Sequence, residues 1–147
     1  KTRNNLMKKV LIVCATYYSN ITNSLKVQAE LALNKAKIKH ESFEVPGVFE
    51  IPVVISKNID MYDGFLALGC VIKGETPHFE LISKTTFEGL MNLSIKNKKP
   101  IGNGIITALN KAQAIKRQGK EKNAKKKGKG LEAAKAVIAV LHNATIK

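Results

Sequence analysis

Cysteine and histidine are scarce in this chain, and their placement excludes two kinds of site. The 147 residues include only two cysteines, Cys14 and Cys70, which lie in apolar runs and form no Cys-x-x-Cys pair. That placement is typical of small buried side chains in a reducing compartment, not of a disulfide framework. The three histidines, His40, His78 and His142, lack the spacing of metal ligands, so no metal site is predicted.

Long apolar runs are also missing. No segment approaches the roughly 20 consecutive apolar residues that a membrane span needs. The amino-terminal segment resembles a signal peptide, but its apolar stretch from Val10 to Ala15 is too short for one. We therefore expect a cytoplasmic protein without membrane association. Residues 1–8 are polar and are predicted to form a flexible extension, and residues 9–147 a single domain.

Acidic side chains are few: 11 Asp and Glu stand against 25 Lys and Arg, for a formal net charge of +14. Such a balance attracts polyanions, whether nucleic acid, anionic membrane or phosphorylated metabolites. Residues 111–130 contain nine of the basic side chains and one acid, Glu121. We interpret this segment as solvated charge. A nucleic-acid binder is an alternative that predicts steeply salt-dependent binding, although no RNA-binding aromatic signature is present.

The pattern of apolar residues predicts the fold class. Four segments predict strands, at Val10–Ala15, Glu41–Val45, Tyr62–Ile72 and Ile101–Ala108. Amphipathic segments predict helices near residues 21–36, 49–58, 76–95, 110–117 and 131–141. Strands and helices that alternate in this way predict a three-layer α/β/α sandwich with a four-stranded parallel sheet, flavodoxin-like in architecture.

Three turns should meet at the carboxyl ends of the first three strands, where open sheets of this kind bind ligands. They span residues 16–20, 46–50 and 70–78. Together they offer the Tyr17 ring, the Glu50 carboxylate, glycine-rich backbone and the His78 imidazole. Walker, Gly-x-Gly-x-x-Gly and nucleophile-elbow motifs are absent. The pattern therefore favours a site for a phosphorylated small molecule and leaves the reaction open.

The third turn leads into a helix. Thr76 is predicted to be its N-cap, with Pro77 at the first helical position. The first turn of a helix leaves backbone N–H groups free, which favours an anion such as phosphate. His78 stands on the same turn, where its imidazole can exchange a proton near neutral pH.

Five sequence motifs resemble the lumazine synthase family, in the family's order and at fitting distances. They are PGVFEIP at 46–52, LGCVIKGETPHFELI at 68–82, PIGNGIIT at 100–107, QAIKR at 113–117 and KGLEAA at 129–134. The resemblance extends from Val10 to Leu141. It implies a transferase of riboflavin biosynthesis that condenses 5-amino-6-(D-ribitylamino)uracil with 3,4-dihydroxy-2-butanone 4-phosphate to 6,7-dimethyl-8-ribityllumazine, the penultimate step. The family needs no metal and no redox cofactor.

The resemblance also implies roles for individual residues. His78 would carry a proton, and Tyr17 would stack on the pyrimidine ring. The residues that would bind the ribityl chain and the heterocycle are Val48, Phe49, Glu50, Cys70, Val71 and Ile72. Those that would border the phosphate of the second substrate are Gly74, Glu75, Thr76, Arg117 and Lys129.

Asn103 completes the implied substrate-binding set, but it lies early in the fourth strand, at the wrong end of the sheet. The family builds each site across two neighbouring subunits, so this segment and Arg117 would come from a neighbour. We therefore expect a homo-oligomer. Segment 118–128 is long and lysine-rich, and family members with insertions at this bend tend to be pentamers, so a pentamer is predicted. No nucleic-acid partner is expected.

Two features depart from the family or admit another reading. Tyr18 stands where many members have Asn, which alters the expected rim of the pocket. A flavodoxin-like flavin carrier would have a similar sheet, but its first turn should be a Ser/Thr-rich phosphate loop, and here the turn reads TYYSN. Non-enzymatic flavin or nucleic-acid binding is thus the alternative to catalysis.

Overall fold

A computed structural model describes residues 8–119 and 128–143 of the chain. Its strands are β1 (Lys9–Ala15), β2 (Lys39–Val45), β3 (Gly64–Ile72) and β4 (Ile101–Ala108). Its helices are α1 (Ser19–Lys35), α2 (Ile51–Lys57), α3 (His78–Asn97), α4 (Lys111–Gln118) and α5 (Lys129–Asn143), and a 3₁₀ turn at Val48–Glu50 precedes α2.

The four strands form one parallel sheet in the order β2-β1-β3-β4. Helices α1, α4 and α5 contribute to the apolar core on one face, and α2 and α3 to the core on the other. The predicted three-layer α/β/α sandwich with a four-stranded parallel sheet is confirmed.

Burial on both faces explains why β1 is almost continuously apolar. Val10, Ile12 and Cys14 belong to the core beneath α1 and α5, whereas Leu11 and Val13 belong to the core beneath α2 and α3. Successive strand residues point to opposite faces, and a parallel sheet covered by helices has no solvent face. Edge strand β2 is mostly exposed, in agreement with its polar sequence KHESFEV.

The strand order creates a crevice at the carboxyl end of the sheet. From β1 the chain passes to β2 on one side, and from β2 it crosses to β3 on the other. The loops that follow β1 and β3 therefore diverge at adjacent strands, which is where open α/β sheets bind ligands. The predicted meeting of three turns has its geometric basis here.

The predicted N-cap of α3 was wrong by one residue. The first helical residue is His78, and Pro77, not Thr76, occupies the N-cap position. The Pro77 carbonyl accepts from the N–H groups of Glu80 and Leu81, so it is the first carbonyl of the helical ladder. Thr76 still contributes, because its Oγ1 accepts from the His78 N–H at 3.3 Å.

Gly102 allows α5 to lie directly on β4. A Cβ built there would lie 2.6 Å from the Ala133 carbonyl oxygen and 2.8 Å from Val137 Cγ2, both on α5. Because a backbone atom cannot swing aside, Gly102→Ala should push α5 off the sheet and lower the free energy of unfolding by about 1–3 kcal/mol or more. Urea denaturation followed by circular dichroism measures this loss.

Gly74 provides the matched control, since a Cβ there would meet no atom within 4 Å. Gly74→Ala should change the unfolding free energy by less than about 0.5 kcal/mol. Equal urea midpoints for the Gly102 and Gly74 variants would contradict the close approach of α5 to β4.

Two sequence predictions concern residues that the structure does not describe. Residues 1–7 of the predicted flexible extension and residues 120–127 of the lysine-rich segment lie outside the described residues. The division into an extension and a single domain therefore stays a prediction. Among the helices in the described ranges, none is long and apolar enough to cross a membrane.

Candidate active site

A cavity of about 620 Å³ opens at the carboxyl end of the sheet. It is formed by the loops after β1, β2 and β3 and by the first turns of α3. Most of the site residues implied by the resemblance border it: Tyr17, Val48, Phe49, Glu50, Cys70, Val71, Ile72, Gly74, Thr76 and His78. Four others also border it: Tyr18, Gly47, Phe79 and Ile82.

The loop after β1 provides two tyrosines at the mouth of the cavity. The Tyr17 ring is 77% exposed and therefore available to a flat ligand. The Tyr18 ring packs partly into the core and meets the Tyr17 ring edge to face, with centroids 4.9 Å apart. Burial raises the pKa of Tyr18, with smaller contributions from Tyr17 and Cys70. Tyr18 is thus a neutral side chain between the core and the Tyr17 ring, which it contacts edge to face.

The loop after β2 presents the Glu50 carboxylate. Its Oε1 accepts from the Gly47 N–H at 2.9 Å, which holds the side chain beside the 3₁₀ turn. Within the described residues this is the one hydrogen bond to the carboxylate. Since an ionised carboxylate has about four acceptor sites, most of its capacity remains for ligand hydroxyls.

The end of β3 forms the inner wall. Cys70 is 5% exposed, and Val71 and Ile72 are partly buried at the last strand positions. Apolar side chains here exclude water from one side of a bound ring, while the backbone at the strand end offers polar groups. Burial raises the pKa of the Cys70 thiol to about 11, so the thiol is neutral at physiological pH.

The loop from β3 to α3 brings an anion-favouring helix end to the cavity. Gly74 and Thr76 border the cavity, and His78 opens the 20-residue helix α3 beside them. Free N–H groups and the helix dipole favour negative charge at this end. The cavity thus combines an aromatic platform, a hydroxyl acceptor, an anion-favouring helix end and an imidazole. It suits a flat polar ring with a hydroxylated chain, next to an anion.

Comparison with known proteins agrees with this geometry. The family model for 6,7-dimethyl-8-ribityllumazine synthase matches residues 7–144. The chain belongs to this family. The 6,7-dimethyl-8-ribityllumazine synthase of Bartonella tribocorum is 42% identical over 134 residues, covering 89% of this chain and 88% of that protein. The enzyme of the same name from Novosphingobium aromaticivorans is 42% identical over 137 residues, covering 92% and 95% of the two chains.

Four residues of the implied lumazine synthase set do not border the cavity of their own chain. Glu75 is exposed in the loop before α3. Asn103 is paired with Ala67 across the sheet, at the amino half of β4, and its Oδ1 accepts from the Ile105 N–H.

The two implied cations lie elsewhere. The exposed Arg117 side chain donates to the Thr107 carbonyl on β4. Lys129 is the first residue of α5, on the far side of the sheet from α3. Neither residue borders the described cavity of its own chain.

Sequence reasoning missed Phe79 and Ile82 as residues of the cavity. Both lie on the apolar stripe of α3, and helical spacing does not tell which residues of the stripe face the sheet and which face a cavity. Their nearness to His78 in sequence was the available signal. Gly47 was overlooked beside Glu50, although a glycine before a helical turn leaves room for a carboxylate to reach the backbone.

Within residues 8–119 and 128–143, no group of three or more His, Cys, Asp or Glu side chains could hold a metal ion. The described residues that line the cavity include one imidazole, His78, and one carboxylate, Glu50.

The pKa of Cys70 leads to a chemical prediction. With a pKa of about 11, its thiolate is rare at pH 8, so iodoacetamide should alkylate it about 100-fold more slowly than a free thiol. The rate should rise about tenfold per pH unit up to pH 10, as the thiolate fraction does. Peptide mass spectrometry after timed labelling separates Cys70 from Cys14. The control is the same labelling of protein unfolded in urea. If Cys70 were labelled at pH 7 as rapidly in the folded protein as in this control, its burial would be contradicted.

Proposed function

We propose that the protein condenses 5-amino-6-(D-ribitylamino)uracil with 3,4-dihydroxy-2-butanone 4-phosphate to give 6,7-dimethyl-8-ribityllumazine. This is the penultimate step of riboflavin biosynthesis, and the enzyme is a transferase. The observation that carries the proposal is the cavity at the carboxyl end of the sheet, in a chain of the lumazine synthase family. Family membership favours catalysis over non-enzymatic binding of flavin or nucleic acid.

The pyrimidine substrate fits the part of the cavity between Tyr17 and the end of β3. The exposed Tyr17 ring would stack on the uracil, and the backbone of residues 70–72 would bind its polar edge. Glu50 would accept hydrogen bonds from the ribityl hydroxyls, beside Val48 and Phe49. The arrangement of an apolar slot with few polar groups is typical of sites that orient a flat ligand.

The phosphate of the second substrate fits the amino-terminal end of α3. Gly74 has no side chain that could block a phosphate, and Glu75 and Thr76 lie in the same loop. Arg117 and Lys129 of a neighbouring subunit would complete the charge balance, and Asn103 of that subunit would line the pyrimidine side. An arginine fork binds phosphate by two parallel hydrogen bonds, which fixes orientation as well as charge.

The chemistry needs two substrates held in register and protons moved between them. The uracil 5-amino group attacks the ketone and water leaves to give an imine, phosphate is then eliminated, and the ribityl-bearing nitrogen closes the ring with loss of a second water. Holding both reactants in place makes the first step effectively unimolecular. His78 lies at the end of the cavity where the phosphate would bind, so it is positioned to accept and return protons.

A site shared between subunits requires a homo-oligomer, and we propose a pentamer. The outer faces of α2 and α3 support association, because four large apolar side chains there are each more than half exposed: Val53, Leu81, Met91 and Ile95. The pentamer rests on the length of segment 118–128 and its resemblance to family insertions. Light scattering should give a mass five times the 16.1 kDa of one chain. A shell-sized particle would contradict the pentamer.

We also propose a cytoplasmic location. Cys14 and Cys70 are both free and buried, the form kept in a reducing compartment. The small-molecule substrates would be supplied and consumed there.

The direct test is lumazine formation from the two purified substrates, followed by absorbance and fluorescence. Product should form well above the spontaneous rate measured without protein. A protein that does not accelerate product formation, but is isolated with bound flavin or binds RNA in low salt, would favour the alternative. Binding of RNA that disappears at moderate salt, together with catalysis, would mark the lysine-rich segment as incidental charge.

A further inference from the structure

The ends of two helices meet at one buried side chain of α1. The last carbonyls of a helix and the first N–H groups of the next have no partners within their own helices. Gln28 of α1 is 5% exposed, and its side chain provides a hydrogen-bond partner for one group of each kind. Its Nε2 donates to the Gln118 carbonyl at the end of α4, at 2.5 Å, and its Oε1 accepts from the Leu131 N–H in the first turn of α5, at 3.2 Å.

The chemistry of the amide suits this position. A glutamine side chain carries donors on one atom and acceptors on another, so one residue can cap a carboxyl-terminal carbonyl and an amino-terminal N–H together. Gly128, which precedes α5, has no side chain with which to cap its own helix. A third contact, from Nε2 to Ser24 Oγ at 3.4 Å, steadies the amide on α1.

Two glycines bring the helices close enough for these bonds. A Cβ at Gly128 would lie 2.1 Å from Gln28 Oε1 and 2.6 Å from the Gln118 carbonyl oxygen. A Cβ at Gly130 would lie 2.2 Å from the Leu25 carbonyl oxygen of α1. Any larger residue would force α5 away from α1, so the junction has little freedom to shift.

The junction lies beside the two cations that the resemblance implies as phosphate ligands. Arg117 directly precedes Gln118, and Lys129 lies two residues before Leu131. Each cation is thus within two residues of a backbone group that Gln28 binds. We infer that Gln28 is a positioning residue that sets the separation of Arg117 and Lys129, and so the affinity for the phosphate-bearing substrate. This inference rests on the proposed function, in which both cations bind that phosphate.

A purely structural role predicts a different result. If Gln28 only stabilised the fold, its replacement would lower the urea midpoint and leave both Michaelis constants unchanged. A positioning role changes the Michaelis constant of one substrate and spares the other, because Tyr17 and Glu50 lie on other loops and do not contact the junction.

The test uses Gln28→Met, which keeps the length of the side chain and removes both hydrogen bonds. The KM for 3,4-dihydroxy-2-butanone 4-phosphate should rise by about 10- to 100-fold, since small misplacements of binding groups have effects of this size. The KM for the pyrimidine should change less than about twofold, because its binding residues are untouched. Inhibition by inorganic phosphate should weaken in parallel, which reports on the anion site without turnover.

Leu33→Ala is the matched control. Leu33 lies on α1 and is fully buried in the core beneath α1 and α5. Its truncation therefore destabilises the protein without a direct effect on the junction. Both KM values should stay within about twofold of wild type, since no substrate-binding group moves. Parallel loss of phosphate affinity in this variant would overturn the inference by assigning the effect to stability alone.

Two further proteins separate failure of the inference from failure of the proposed function. Wild type must form lumazine, and Arg117→Met must raise the KM for the phosphate substrate. If both hold and Gln28→Met leaves that KM unchanged, the positioning role is wrong. If wild type forms no product, the proposed function fails and the inference falls with it. If Gln28→Met does not fold, Gln28→Glu replaces it. The glutamate keeps an acceptor for the Leu131 N–H but places a carboxylate oxygen against the Gln118 carbonyl, which repels it. The same rise in KM for the phosphate substrate is expected.

Discussion

Replacement of His78 by alanine is expected to lower kcat for lumazine formation by about 10²- to 10⁴-fold, the usual contribution of a positioned acid–base group. His78 is the imidazole that borders the described cavity, and it stands on the first turn of α3 beside the loop of Gly74 and Thr76. Both the condensation and the ring closure move protons. The KM values should change little, because neither Tyr17 nor Glu50 depends on the imidazole.

His40→Ala is the control for this experiment. His40 lies in β2 beside Val10, at the opposite end of the sheet, where its Nε2 lies 3.1 Å from Asn34 Oδ1. Its loss should leave kcat unchanged. Steady-state rates, corrected for the spontaneous reaction, measure both variants. A His78→Ala enzyme with the kcat of wild type would leave catalysis to orientation of the substrates alone.

The sheet and its ligand end could be predicted because they follow from short-range pattern and simple topology. Apolar runs such as Val10–Ala15 and residues 66–72 have both faces buried, and the alternation with helices permits few arrangements. Once the strands are parallel, the turns after β1, β2 and β3 must lie at one edge. Tyr17, Glu50 and His78 meet in the cavity for this reason.

The rest depends on long-range contacts that leave little trace in the sequence. Gln28 looks like an ordinary polar residue of an amphipathic helix, yet its partners Gln118 and Leu131 lie 90 and 103 positions away. Tyr62 and Glu41 form a similar case, because their hydrogen bond joins strand β2 to the loop before β3. That bond raises the pKa of Tyr62 to about 12 and lowers the pKa of Glu41.

Replacement of Arg117 by methionine is expected to raise the KM for 3,4-dihydroxy-2-butanone 4-phosphate by about 100-fold, the scale of a lost charge-assisted contact. The KM for the pyrimidine should stay nearly constant. Within its own chain, Arg117 is exposed, contacts the Thr107 carbonyl and does not border the cavity. A selective effect on the phosphate substrate would therefore place Arg117 at the cavity of a neighbour. Equal losses for both substrates would contradict its proposed role.

Mixed oligomers can test directly whether the site is shared. His78→Ala and Arg117→Met chains, each nearly inactive alone at low phosphate substrate, are co-assembled in equal amounts. In a ring where each site takes His78 from one chain and Arg117 from the next, about one site in four combines an intact His78 with an intact Arg117, since neighbours pair at random. About a quarter of wild-type activity should then return. If one chain supplied both residues, no site would be complete and the mixture would show only the average of the two variants.

The reciprocal mixture removes the remaining ambiguity. A chain that carries both His78→Ala and Arg117→Met is co-assembled with an equal amount of wild type. Shared sites need two wild-type neighbours, so about a quarter of the sites are complete, whereas sites within one chain would leave half of them complete. The two mixtures should thus give equal activity when the site is shared, and about zero and one half when it is not. In the proposed shared site, Arg117, which does not border the cavity of its own chain, would bind the substrate that His78 of a neighbouring chain faces.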